Sequence, residues 1–155
     1  MAIFFCPVCG KALNKIENCY KCEAGHSFDI ARQGYVNLLR SQQSSKKHHG
    51  DDKLMVSARR RFLESGYYGP LRDKVCELAV KYCPETASVL DAGCGEGWYT
   101  AGILEALERA GKRADIVGID ISKEALKAAG ARRGISLAVA SVFDLPVGDE
   151  SQDMV

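Results

Sequence analysis

Val89-Leu-Asp-Ala-Gly-Cys-Gly-Glu-Gly97 is the stretch that decides the fold. It begins as a strand and passes into a helix through Gly93, Gly95 and Gly97. Missing side chains at these positions let a ligand approach the backbone, and the helix beyond offers unpaired amides. A dinucleotide-binding turn needs its third glycine at position 98, which is Trp98, so that reading fails by one residue. Asp91, placed before the first glycine, would repel a pyrophosphate but suits a cationic amino-acid group. The alternative is a tight strand-to-helix turn with no ligand.

Outward from this loop the pattern alternates. Residues 88–92 read as a strand, 97–110 as a helix closed by Gly111, and 115–120 as a second strand. Ser122 then caps a helix to about Arg132, and residues 135–140 make a third strand. Such alternation specifies an α/β fold whose parallel sheet is covered on both faces. Upstream, Asp51 or Asp52 caps a helix that carries Leu54, Met55, Ala58, Phe62 and Leu63 on one face and ends at Gly66. A second helix follows Pro70, with Leu71, Val75, Leu78, Ala79 and Tyr82 as its expected buried stripe.

The strand ends suggest the ligand. Asp120 is placed to accept hydrogen bonds from two ribose hydroxyls, its other reading being a helix-capping acid. Ser141, Val142 and Phe143 follow the third strand, where an adenine ring would be held by backbone and apolar contacts. With Asp91 serving an ammonium directly or through water, the set fits S-adenosylmethionine, which carries an ammonium and a sulfonium. Trp98, Tyr99 and Ile103 are expected in the core of the following helix, and Cys94 reads as a small buried residue.

A different chemistry occupies the front of the chain. Cys6-Pro-Val-Cys9 is a metal knuckle, and zinc bound there needs two further ligands. Cys19-Tyr-Lys-Cys22 would close a four-cysteine site, whereas Cys22-Glu-Ala-Gly-His26 would give three cysteines and a histidine. Gly25 makes the second closure sterically easy. Either site lacks an open coordination position, so the metal's expected role is structural, stapling a module too small to fold alone.

Bulk properties set the frame. The chain has 155 residues, 46% hydrophobic and 26% charged, with a net charge of +1, which places it among ordinary soluble globular proteins and is silent on nucleic acid. No segment has the length and apolarity of a membrane span, and no secretory leader is visible, so the cytoplasm is expected. Residues 1–39 are expected to form the zinc-binding module, 40–53 a flexible basic linker, and 54–155 the front part of the α/β domain. The final residues, 149–155, resemble the loop and opening of a fourth strand, from which truncation of a longer protein is inferred.

Val89 to Thr100 resembles the first motif of the Rossmann-like class I methyltransferases. The front module, with Cys6-Pro-Val-Cys9, Cys22-Glu-Ala-Gly-His26, Phe28-Asp-Ile-Ala-Arg-Gln-Gly-Tyr-Val-Asn-Leu-Leu39 and Ala58-Arg-Arg-Arg-Phe-Leu-Glu-Ser-Gly-Tyr-Tyr-Gly-Pro-Leu71, is similar to the 23S ribosomal RNA guanine-N1 methyltransferase family. In one branch of that family the modification gives macrolide resistance. The resemblance implies zinc on Cys6, Cys9, Cys22 and His26, with Cys19 departing from the pattern, and S-adenosylmethionine contacts from Tyr68, Gly95 and Glu96. Read from the residues alone, Tyr68 is a core aromatic closing the helix pair.

The expected reaction is methyl transfer to guanine N1 in a 23S rRNA hairpin, with the guanine unpaired or flipped so that its pairing edge is reachable. The zinc module and Lys46-Lys-His-His49 would grip the hairpin backbone, or those four residues are a solvated tether. The catalytic base is expected beyond residue 155. Two other readings stay open: a small-molecule methyltransferase with a structural zinc lid, and a zinc- and RNA-binding fragment that transfers no methyl group. A homodimer also stays open.

Overall fold

A computed structural model describes residues 3–40 and 50–155. The basic run at 46–49 lies outside the described residues. Four short strands, β1 (Phe4–Phe5), β2 (Ala12–Ile16), β3 (Cys19–Lys21) and β4 (Ser27–Asp29), form an antiparallel sheet in chain order. A second sheet is parallel throughout and runs β5 (Tyr35–Asn37), β8 (Ile135–Val139), β7 (Arg113–Asp120), β6 (Thr86–Ala92). Helices α1 (Lys53–Glu64), α2 (Gly69–Tyr82), α3 (Trp98–Arg109) and α4 (Lys123–Ala129) complete the described elements.

Side-chain alternation divides the parallel sheet into two faces. Val89 and Ile116 pack with Ala79, Cys83, Ile103, Leu104 and Leu107 of the α2–α3 layer. Leu137 and Val139 pack with Leu126 and Ala129 of α4. Leu90, Val117, Ile119, Ala138 and Ala140 face the other way, into a core shared with Phe4, Cys6, Leu13, Tyr20 and Cys22. Phe4 and Tyr20 meet edge to face at 5.3 Å. The sheet is thus covered on both faces as expected, by helices on one and, among the described residues, by the cysteine-bearing ribbon on the other.

The front module also supplies an edge strand. Tyr35, Val36 and Asn37 pair in parallel with Leu137, Ala138 and Val139, and the Leu38 amide donates to the Val139 carbonyl at 2.9 Å. The boundary expected at residue 39 thus cuts through no gap in the packing, since β5 belongs to the parallel sheet and Val36 and Leu38 to the shared core. At the opposite edge Met154 bridges Val89 in parallel, and the Leu90 amide donates to its carbonyl at 3.0 Å. The expected opening of a further strand is present there.

Helix starts match expectation. Asp52 caps α1 by accepting from the Met55 amide at 2.9 Å, and Ser122 caps α4 by accepting from the Ala125 amide at 3.1 Å. Helix faces do not. In α1 the buried residues are Val56 and Leu63, while Leu54 is 74% exposed and Met55 and Phe62 are exposed as well. In α2 the buried residue is Ala79, with Leu71, Leu78 and Tyr82 exposed. Arg72 explains part of the rotation: its guanidinium lies over the Trp98 ring at 4.8 Å and fills the space left by Gly102.

Candidate functional site

The zinc cluster is built by two turns of the ribbon. Cys6 and Cys9 flank the turn after β1, and Cys22 and His26 flank the turn between β3 and β4. In the second turn the Gly25 amide donates to the Cys22 carbonyl at 3.0 Å, with Gly25 at φ +86°. A side chain would strain that backbone, so glycine is the residue that brings His26 back to Cys22. The four donor atoms lie within 4.8 Å of one another.

Their spacing fits zinc. Zinc–sulfur and zinc–nitrogen bonds of about 2.3 and 2.0–2.1 Å in a tetrahedron place donors about 3.5–3.8 Å apart. Cys9 and Cys22 sulfurs are 3.7 Å apart, and His26 Nδ1 lies 3.6 Å from Cys6 and 3.3 Å from Cys22. Burial opposes ionisation of the Cys22 thiol, yet hydrogen bonds from the His26 backbone and side chain, Cys9 and the Ala24 backbone lower it to about 6. A thiolate is thus available at neutral pH as a ligand.

Cys19 stands apart from these donors, with its thiol donating to the Ile16 carbonyl at 3.3 Å. The strand period explains this: Tyr20 points into the core, so Cys19 on β3 faces the other way. The four-cysteine closure is not the one formed.

The second candidate site lies at the carboxyl ends of β6 and β7. Gly93 and Cys94 amides both donate to the Ile119 carbonyl, at 2.8 and 2.9 Å, which fixes the loop to the neighbouring strand end. Gly93 and Gly95 have φ of +97° and +57°, and a Cβ built on either meets nothing within 4 Å. That open cradle is the observation against which an adenosyl donor fits. No side chain caps the start of α3, so its first amides also face this region without a side-chain partner.

Both acids converge on the cradle. Asp91 accepts from the Thr100 hydroxyl at 2.5 Å, and burial raises its carboxyl, with Thr100 opposing and the Asp120 charge adding to the rise. Asp120 accepts from the Gly95 amide at 2.9 Å through one oxygen and from the Ser122 amide at 2.8 Å through the other. Ser122, not Asp120, caps α4, so Asp120 instead ties the glycine loop to the turn that precedes that helix. About four lone-pair sites per carboxylate leave about two for further donors such as ribose hydroxyls.

The remaining expected positions divide. Glu96 is only 3% exposed, with its carboxylate between Arg132 at 3.5 Å and Arg60 at 3.7 Å. Arg132 also donates to the Glu96 carbonyl at 2.8 Å, and burial raises the Glu96 carboxyl against the pull of both arginines. This ion-pair cluster ties the glycine loop to α1, a link that spacing along the chain could not reveal. Gly97, at φ +73°, begins α3 against Arg132.

Tyr68 is 44% exposed at the start of α2 and meets Phe62 edge-on at 5.4 Å, with Tyr67 stacked on Phe62 at 6.0 Å. The core-aromatic reading of Tyr68 is corrected, because this trio stands at the surface. Ser141 is buried, and its hydroxyl accepts from the Phe143 amide at 3.2 Å, while Val142 is half-exposed and Phe143 is 96% exposed. Ile103 is buried as expected, whereas Trp98 and Tyr99 are half-buried and pack edge to face at 4.9 Å. Cys94 is buried, with its thiol pushed far up by desolvation and by the Asp91 and Asp120 charges, so it is no nucleophile. A cavity of about 610 Å³ between α2 and α3 includes no residue of the glycine loop.

A parallel sheet with this loop, joined to a Cys3His ribbon, defines a zinc-bearing class I methyltransferase fold of the S-adenosylmethionine-dependent type. Comparison with known proteins agrees. Residues 4–47 match the family described as "RlmA, N-terminal", a zinc ribbon, and residues 89–155 match the family described as "Methyltransferase domain". The chain is 40% identical over 153 residues to the 23S rRNA (guanine(748)-N(1))-methyltransferase of Streptomyces fradiae, covering 96% of this chain and 52% of that protein. Two further relatives carry the name 23S rRNA (guanine-N(1)-)-methyltransferase provisionally. One, from Micromonospora griseorubida, is 37% identical, covering 93% of this chain and 53% of the relative; the other, YxjB of Bacillus subtilis strain 168, is 36% identical, covering 99% and 55%.

The chain thus carries a zinc ribbon of the RlmA type and a methyltransferase domain, and is similar to these relatives over nearly its whole length. It spans about half the length of the curated relatives it matches. No helix among the described residues is long and apolar enough to cross a membrane.

Proposed function

We propose that the protein methylates N1 of a guanine in a hairpin of 23S ribosomal RNA, using S-adenosylmethionine and carrying zinc as a structural ion. The observation that carries the reading is the open glycine cradle flanked by Asp91 and Asp120, on a sheet whose other face is covered by the Cys3His ribbon. The guanine and the N1 position come from the names of relatives similar to this chain through both modules.

In this reading Asp91 orients the donor's ammonium, Asp120 holds the ribose, and the Ser141–Val142 turn lines the adenine. Tyr68 and the backbone of Gly95, Glu96 and Gly97 add contacts at the cradle. Bound there, the donor supplies an electrophilic methyl group on a sulfonium. Positioning accounts for most of the acceleration in such a transfer, since the two reactants are held in line and water is kept out. The guanine N1 proton leaves as the new bond forms, to a base that we do not place among residues 1–155. Cys6, Cys9, Cys22 and His26 hold the zinc, and the ribbon contributes to RNA binding. The cytoplasm is where such a substrate would be met.

The test uses full-length protein, S-adenosylmethionine and transcribed 23S rRNA hairpins. N1-methylguanine blocks the pairing edge, so reverse transcription should stop at one guanine in treated RNA. Affinity for the hairpin should fall steeply with added salt. Salt-independent, negligible hairpin binding, with methyl transfer only to small acceptors, would instead establish the small-molecule reading with a zinc lid.

A further inference from the structure

We infer that the zinc ribbon buttresses the adenine side of the donor site, with Arg40 as a positioning residue that holds the adenine-side loop. This rests on the donor reading above. The loop after β8 leans on the front module at successive points. Arg40 makes a two-pronged ion pair with Asp144, Nε to Oδ2 at 2.8 Å and Nη2 to Oδ1 at 3.3 Å. The Phe5 amide of β1 donates to the Pro146 carbonyl at 2.8 Å. Val147 packs against the shared core, and the Phe5 ring lies within 3.3 Å of where a side chain on Gly148 would begin.

These anchors fall immediately after Ser141, Val142 and Phe143. The segment between is a tight turn: the Asp144 amide donates to the Ser141 carbonyl at 3.0 Å and the Phe143 amide to the Ser141 hydroxyl at 3.2 Å. A displacement of Asp144 is therefore passed to the adenine contacts. Arg40 itself follows Leu38, which is buried in the core that contains Cys6 and Cys22. Cys6 and Cys22, β5, Arg40 and the turn at Ser141 thus form one mechanical series.

Full-length protein carrying Arg40→Gln, and separately Asp144→Asn, is titrated calorimetrically with S-adenosylhomocysteine and with 5′-methylthioadenosine. Each variant should bind both ligands about three- to tenfold more weakly, the scale of a partly exposed two-pronged ion pair. The loss should be equal for the two ligands, because both carry the adenine and only one carries the amino acid. Bound zinc should remain at one equivalent, and the exchanged pair Arg40→Asp with Asp144→Arg should recover affinity. Generalised destabilisation would also weaken both ligands equally, but it would show as a lowered melting temperature, whereas loosening of this loop should leave that temperature close to the parent's. Unchanged affinity in both single variants, alongside weakened binding by Asp120→Ala, would overturn the inference while leaving the donor reading intact. Unchanged affinity in all three would overturn both.

Discussion

Replacing Asp120 by Ala tests the donor site most directly. Its two oxygens each already accept one backbone amide, from Gly95 and Ser122, so the carboxylate shapes the glycine loop as well as facing the ligand. Two ribose hydroxyls on its free lone pairs would contribute about 1.5–3 kcal/mol each as hydrogen bonds to a charged acceptor. Losing about 3 kcal/mol at the lower bound weakens S-adenosylmethionine binding roughly a hundredfold. Loss of the two amide contacts should lower the unfolding free energy as well, by about 1–3 kcal/mol. Calorimetric titration of the full-length protein reads the first quantity, and denaturant unfolding the second. Asp120→Asn should fall between parent and Ala, since an amide keeps one acceptor but presents a donor to the other backbone N–H. An Ala variant that folds and binds less than about threefold more weakly would refute the reasoning.

Two other outcomes follow from the same geometry. Because burial raises the Asp91 carboxyl, donor affinity should be full above that raised value and decline as pH falls through it, beginning at a higher pH than for an ordinary aspartate. Stability has the opposite sign: the contribution of Asp91 is fully present below the ordinary aspartate value and is lost as pH rises through the raised one. Asp91→Asn should flatten both profiles, measured by titration calorimetry and by denaturant unfolding across pH. At the metal, Cys22→Ser should lose zinc and lower the melting temperature, because Cys22 is both a donor and a member of the core shared with the sheet. Cys19→Ser should keep one zinc per chain by native mass measurement, since its sulfur is turned to the Ile16 carbonyl.

The parts that were legible in the sequence are those whose determinants are close together along the chain. Gly93, Gly95 and Gly97 need positive φ within five residues, and Ser122 and Asp52 cap helices that begin at the next position. The knuckle of Cys6 and Cys9 is equally local. By contrast, Leu54, Met55 and Phe62 fall on one apolar face of α1 by spacing, and all three lie at the surface. Periodicity identifies an apolar face but not which neighbour comes to cover it; of that face Leu63 is buried, together with Val56. The residue-only reading of Tyr68 as a core aromatic fails for a similar reason, because the turn between α1 and α2 leaves it beside Phe62 at the surface.

Residue pattern alone determined that strand, glycine turn and helix would alternate, that acids would stand at the ends of two successive strands, and that the clustered cysteines, with or without a histidine, would supply a closed metal site. Only the tertiary structure decided between Cys19 and His26, because strand pleat and a glycine turn, rather than proximity in sequence, set where a sulfur or nitrogen points. It alone also decided that the ribbon lies on the sheet. That choice depends on pairing Tyr35 with Leu137 and burying Phe4 with Ile119, contacts between residues far apart along the chain that no local propensity encodes.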